Sequence, residues 1–349
     1  MAFDPSSVSK VLVRVPNWLG DAIISLPAVR LIRQSFPKAH LTVVARPSVA
    51  GLYARESVVD QVIPYAPRGL RGKRAFAAGL RTEHFDCAIL FQNAFDAALM
   101  AWMARIPERI GYNRDGRGLL LTRAVDTPAP GEIPRHERFY YLELLRRAGL
   151  IGQFPAISAI LLDGIFTARE AGQRRFAELG VSPPVIGVSP GAAFGTAKRW
   201  LPERFAEAAR TLSGTVLVFG SAAERELCTE VAALAGGRSL AGETSLSEFI
   251  ELASACRLFL TNDSGAMHLA SALGVPTVAV FGATDDTTTG PAGPLARVVR
   301  AQADCSPCLL RVCPIDHRCM TRVSADQVAA TALELWKEPV PAWTHEARS

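Results

Sequence analysis

The chain has 349 residues, 49% of them apolar and 20% charged, which is longer than a single hydrophobic core usually grows and rules out a disordered chain. The sequence has no run of 18 apolar residues to suggest a membrane-spanning helix, no secretory-signal pattern ahead of VLVRV, and an odd cysteine count of seven that does not suit a disulfide scaffold. The net charge of +5 is uneven: residues 1–150 hold 21 Lys and Arg against 13 Asp and Glu, the rest 17 against 20. A soluble, cytoplasmic, two-domain protein is expected, with a basic first half that suits an anionic partner or is simply a solvated face. Nucleic acid is not expected, because the basic stretch lacks interleaved aromatics and carries no nucleic-acid motif.

Short apolar runs alternate with helix-length amphipathic segments, as in a parallel sheet covered on both faces. VLVRV (11–15) predicts a first strand and is followed by a helix over about 22–35. LTVVA (41–45), VIPY (62–65) and CAILF (87–91) predict further strands. Helices are expected near 136–149 and 168–179, before the Pro-rich break VSPPV at 181–185. The pattern then restarts with VIGVSP (185–190), VLVF (216–219), LFLT (258–261) and TVAVFG (277–282). Helices fit at about 203–212, 222–235, 246–255 and 265–273, and a last one near 324–337. The segment 283–322 reads as irregular. The expected organisation is an α/β chain of two Rossmann-like domains, 1–180 and 181–325, with a C-terminal helix and tail (326–349) packing back on the first.

Ligands of open parallel sheets bind at the carboxyl ends of the strands, so the loops after each strand carry the information. In VRVPNWLGDAI, Asn17 and Gly20 lie in such a loop. Asp21 is either a general base or the N-cap of the helix that follows. In SPGAAFGTAKRWLPERF, small residues let backbone N–H groups approach an anion, and Lys198 supplies a point charge suited to phosphate. Glu224, after VLVFGS, can accept hydrogen bonds from ribose hydroxyls or can stabilise a first helical turn. In TNDSGAMHLASALGVP, Asn262, Asp263, Ser264 and Gly265 open a helix whose free N–H groups suit an anion, and His268 lies one turn in. Asp263 is alternatively an N-cap, and His268 a packed helix residue. FGATDDTTTGP (281–291) is a third loop suited to a nucleotide diphosphate. Cys305, Cys308, Cys313 and Cys319, with His317 among them, offer a zinc-ligand set but only one CxxC knuckle, so reduced structural thiols or a local disulfide remain alternatives.

The combination of VPNWLGDAIISLPAVRLIRQSFP, SPGAAFGTAKRWLPERFAEAA, VLVFGSAAERE, LAGETSLSEFIELASA and TNDSGAMHLASALGVPTVAVFG resembles the ADP-heptose:lipopolysaccharide heptosyltransferases of glycosyltransferase family 9. The resemblance runs over most of residues 10–322. It implies a GT-B fold with an interdomain cleft and an inverting transfer that needs no metal cofactor. The donor would be ADP-heptose. The acceptor would be the heptose of the phosphorylated, lipid A-linked inner core, met at the inner face of the inner membrane. It implies Asp21 as general base and Lys198 beside the diphosphate. Thr196, Glu224, Thr244, Asn262, Asp263, Ser264, Gly265 and His268 would contact the donor. Gly20, Asn17, Arg68, Arg71 and Lys73 would serve the acceptor side. Transfer to heptose-free core or to protein, and epimerisation of a nucleotide sugar, are the competing activities.

Overall fold

The computed structural model describes residues 5–338. The chain divides into two compact units between Ile157 and Ser158. The first contains β1 (Lys10–Arg14), α1 (Leu19–Ile24), α2 (Leu26–Ser35), β2 (His40–Ala45), α3 (Pro47–Tyr53) and β3 (Gln61–Pro64). It continues with α4 (Gly69–Thr82), β4 (Cys87–Leu90), α5 (Phe95–Met103), β5 (Glu108–Tyr112), β6 (Arg123–Val125) and α6 (Arg138–Arg147). All its strand pairings are parallel, in the order β3-β2-β1-β4-β5-β6. β1 runs between β2 and β4, and its residues 11–14 are fully buried. This agrees with an apolar run covered on both faces.

The second unit contains α7 (Ile165–Glu178), β7 (Val185–Ser189), α8 (Pro202–Arg210), β8 (Thr215–Val218), α9 (Arg225–Ala235), β9 (Arg238–Ser239) and α10 (Leu246–Ala255). There follow β10 (Leu258–Asn262), α11 (Gly265–Ala272), β11 (Thr277–Phe281), α12 (Asp286–Thr289), β12 (Ala296–Arg300), α13 (Arg318–Thr321) and α14 (Ala325–Lys337). Its sheet order is β12-β11-β10-β7-β8-β9, again parallel. Numbered from its own first strand, this is the same doubly wound order as in the first unit. The chain reverses direction across the sheet between β1 and β4 in one unit and between β7 and β10 in the other. Such switch points are where doubly wound sheets bind ligands. Two doubly wound α/β units in succession agree with the fold class expected from the sequence.

Three expectations are corrected. The domain boundary falls near 157, not 180, because α7 packs on α10 of the second unit. Its buried residues Ile165, Ala168, Gly172 and Phe176 form one stripe, and Arg175 pairs with Glu251 at 2.5 Å. The last helix, α14, expected to pack on the first unit, is an integral part of the second. It lies against α8 and strands β10–β12 of its own unit, and Val328, Ala332 and Leu335 join that unit's core. The tail beyond Glu338 lies outside the described residues. The helix expected over 22–35 is two helices. Pro27 has no N–H to bond the carbonyl of Ile23, and the chain breaks at Ser25.

Further elements were not expected from the sequence. The basic run of 68–74 opens helix α4, whose three glycines weaken the helical signal while Ala77 and Leu80 bury its inner face. β12 forms inside the stretch read as irregular and pairs with β11.

Candidate active site

In the second unit, β7 and β10 are neighbours, with Ser189 opposite Thr261. The loops leaving them converge. Asn262 is fully buried and uses both ends of its amide: Oδ1 accepts from Trp200 N at 2.9 Å, and Nδ2 donates to Pro190 O at 2.6 Å. One side chain thus fixes both ends of the loop 190–200. Asn262 was expected to contact the donor, but its amide is occupied by backbone, so it shapes the loop instead.

Held in that loop, Lys198 donates from Nζ to Asp263 Oδ2 at 2.6 Å, with side-chain exposures of 12% and 4%. Thr284, after β11, donates its hydroxyl to the same carboxylate oxygen at 2.5 Å. Asp263 is therefore not a helix cap. Ser264 caps α11, accepting from Met267 N. The three loops expected to bind a diphosphate, after β7, β10 and β11, are tied together by this one carboxylate. His268 is buried on the first turns of α11, and Thr196 is exposed at the start of a 3-10 turn that ends at Lys198.

Glu224 ends a short 3-10 turn and caps its own start: Oε2 accepts from Ser221 N at 2.9 Å and Ser221 Oγ at 2.8 Å. Its other oxygen, Oε1, has no hydrogen bond among the described residues. It lies across Gly191, where a Cβ would come within 2.0 Å of it. Only glycine at 191 lets this carboxylate lie against the β7 loop. One oxygen therefore stabilises the turn, as one of the two sequence readings has it, while the other is open. Thr244 is half-buried just ahead of Ser245, the N-cap of α10.

In the first unit the chain leaves β1 through Pro16 and Asn17. Trp18 is the N-cap of α1, so Asp21 sits inside the first turn and is not the cap the alternative reading proposed. Gly20 is in the same turn. Asp21 is partly open, and its carboxylate acts on its surroundings. Burial and then the Asp21 charge raise the carboxyl of Glu137 above its ordinary value. Glu137 keeps more than a third of its surface open, yet enough protein surrounds it for desolvation to lead. Asn17 accepts from Arg14 Nη2 at 2.7 Å. Arg14 is buried, and burial lowers it to about 10. It stacks over Tyr65 at 4.7 Å, the Tyr65 hydroxyl donates to Asp96, and Lys73 pairs with Asp96 at 2.5 Å. Lys73 therefore belongs to a structural chain of charges, whereas Arg68 and Arg71 stay exposed at the start of α4.

Cys305, Cys308, Cys313 and Cys319 are all free thiols. Burial raises the Cys319 thiol first, and then the other three thiols do. Among the described residues, however, no three His, Cys, Asp or Glu side chains gather as a metal-binding group. His317 faces elsewhere, with Nε2 2.9 Å from Ala197 O. Cys87, Cys228 and Cys256 are buried among apolar residues, as expected.

The profile of glycosyltransferase family 9 (heptosyltransferase) matches residues 73–318. The chain belongs to this family. Lipopolysaccharide heptosyltransferase 2 of Escherichia coli K12 is 34% identical over 312 residues, covering 83% of this chain and 88% of the relative. The solved structure of E. coli ADP-heptose LPS heptosyltransferase II superposes with a TM-score of 0.79 at 29% identity, covering 94% of this chain and 98% of that one. A family 9 glycosyltransferase from Veillonella parvula shares the fold, with a TM-score of 0.81 at 22% identity over 96% and 99% of the two chains. This family 9 glycosyltransferase thus carries Lys198, Glu224, Asp263, Ser264, Gly265 and His268 on loops or first turns at strand ends of one sheet. Sequence reasoning missed Glu137, Thr284 and the Asn262 clamp, because none lies next in sequence to the group it serves.

The geometry makes Asp263 structural as well as polar. Asp263→Ala leaves a nearly buried ammonium unpaired, so unfolding free energy should fall by about 3 kcal/mol in denaturant titration. Loss of less than about 0.5 kcal/mol would mean the pair contributes like a surface bridge.

Proposed function

We propose that this glycosyltransferase moves L-glycero-D-manno-heptose from ADP-heptose to the heptose already on the lipopolysaccharide inner core, the heptosyltransferase II step. The observation that carries this reading is the 34% identity to a relative of that name across most of both chains. The acceptor hydroxyl oxygen attacks the anomeric carbon while the carbon–phosphate-oxygen bond breaks. The hydroxyl proton passes to the Asp21 carboxylate, and the bonding pair leaves with the diphosphate as ADP. Lys198 exchanges Asp263 for the departing phosphate, and free N–H groups at the start of α11 share the charge. No metal cofactor is required in this reading, because these groups take the charge a divalent ion would neutralise. Glu224 Oε1 receives a ribose hydroxyl. Thr196, Thr244 and His268 line the donor side.

On the acceptor side, Arg68 and Arg71 at the start of α4 suit phosphates of the inner core. The excess of basic residues in the first 150 suits an anionic membrane surface, which fits action at the inner face of the inner membrane. No helix among the described residues is long and apolar enough to cross a membrane.

The test is ADP release from ADP-heptose with two acceptors, inner core with no heptose and core with one, each with and without EDTA. Release only with the mono-heptosylated core, unchanged by EDTA, is expected. Release with heptose-free core would assign the preceding step, and release without any acceptor would indicate hydrolysis or another reaction of the donor.

A pH effect follows from Glu137. Asp21 acts as base only when ionised, and a second negative charge nearby opposes its ionisation. Glu137→Gln removes that charge, so the acidic limb of kcat/KM should move to lower pH. An unmoved limb, or one moved to higher pH, would separate Glu137 from the base.

A further inference from the structure

The Cys-rich segment between β12 and α13 has no part in the reaction described above, yet it is fastened to two of the three donor loops. Ser306 Oγ donates to Gly282 O at 2.6 Å, and Leu309 N donates to Ala283 O at 2.8 Å, both just after β11. On the other side, Ala197 N donates to Arg311 O at 3.0 Å, and His317 Nε2 meets Ala197 O at 2.9 Å. Gly195 lies so close that a Cβ there would come within 2.1 Å of Arg311 O. The segment's end is buried in the core through Cys319 and Met320. The backbone of Arg311 is therefore fixed to the turn that presents Lys198.

The side chain of Arg311 completes the arrangement. Its guanidinium lies 5.2 Å from the ring centre of Phe194, and Lys198 Nζ lies 4.9 Å from the same ring centre. Two cations thus share one partly exposed aromatic ring. Lys198 has Asp263 as counter-charge. Arg311 has no ion pair or side-chain hydrogen bond among the described residues, whereas its neighbour Arg318 is paired with Asp316 at 2.9 Å. The three groups Lys198, Arg311 and Asp263 leave one positive charge uncompensated beside the loops.

We propose that Arg311 binds the diphosphate of the nucleotide-sugar donor together with Lys198, a role that rests on the donor reading above. A guanidinium presents a planar fork that fits two phosphate oxygens, which an ammonium cannot do. The two residues divide the work. Lys198 is the buried point charge beside Asp263, and Arg311 is the exposed fork that holds the phosphates from the segment packed against both loops.

The test is calorimetric titration of the full chain with ADP and with adenosine, for the natural protein, Arg311→Ala and Arg311→Lys, alongside thermal unfolding. In Arg311→Ala, ADP should bind about tenfold more weakly, the loss of one charged hydrogen-bonding group. Adenosine binding and the unfolding midpoint should stay unchanged, and Arg311→Lys should recover part of the ADP affinity. Unchanged ADP binding, or an equal loss for ADP and adenosine, would overturn the proposal. The natural protein is read first: if it binds ADP no better than adenosine, the donor reading fails, and the role of Arg311 fails with it.

Discussion

The Lys198–Asp263 contact is the constraint on which the donor side of this structure depends. An ammonium and a carboxylate so little exposed are tolerated only when paired and further hydrogen-bonded. Thr284 supplies the further bond, and Asn262, next in sequence to Asp263, holds the backbone on either side of Lys198. The partners come from the loops after β7, β10 and β11, so the pair can form only when those strands are neighbours. The sheet order places them so, and the pair sits at the point where the order reverses. Fold and site are therefore one requirement. In the proposed reading the ammonium is placed in advance for an anion, and its resting partner is itself an anion that a phosphate can replace.

The first unit solves a related problem with different chemistry. Its switch point, between β1 and β4, is held by backbone bonds from Phe91 and Gln92 to Arg14 O, and by the buried guanidinium of Arg117 reaching Gln92 O. Arg14, Tyr65, Asp96 and Lys73 extend the order outward to α4. Against this rigid background Asp21 is partly open, inside the first turn of a short helix, and its charge reaches the carboxyl of Glu137. In the proposed reading, the same topology serves an anion-binding site in one unit and a proton acceptor in the other.

Much of this was legible in the sequence, and the reasons for the rest are physical. β1, β2, β4, β7, β8, β10 and β11 are mostly apolar runs and were placed to within about a residue, because burial on both faces leaves a continuous signal. The loops after β1, β7, β8 and β10 were found because glycine and charge are concentrated there. α4 was hidden by its glycines and arginines, and β12 by a stretch of Pro and Gly. The boundary was misplaced at VSPPV because α7 precedes its own sheet, and its packing on α10 lies some 75 residues away in sequence. Asp21 and Asp263 both offered capping as an alternative, and only backbone geometry showed that Trp18 and Ser264 occupy the cap positions. Arg311 gave no signal at all, since the bonds that fix it come from loops more than 25 residues distant.

The central claim is a single displacement, with Asp21 taking the acceptor proton on one side of the sugar while Lys198 receives the charge of the departing diphosphate on the other. Its stereochemical consequence is independent of affinities and rates. The most direct measurement is the anomeric configuration of the heptose in the product, read from the one-bond carbon–hydrogen coupling at its anomeric centre by NMR. With the β-linked donor, the account predicts an α-linked heptose. A β-linked product would mean a double displacement or attack on the face the diphosphate leaves, and would contradict a single displacement with Asp21 as base opposite the diphosphate.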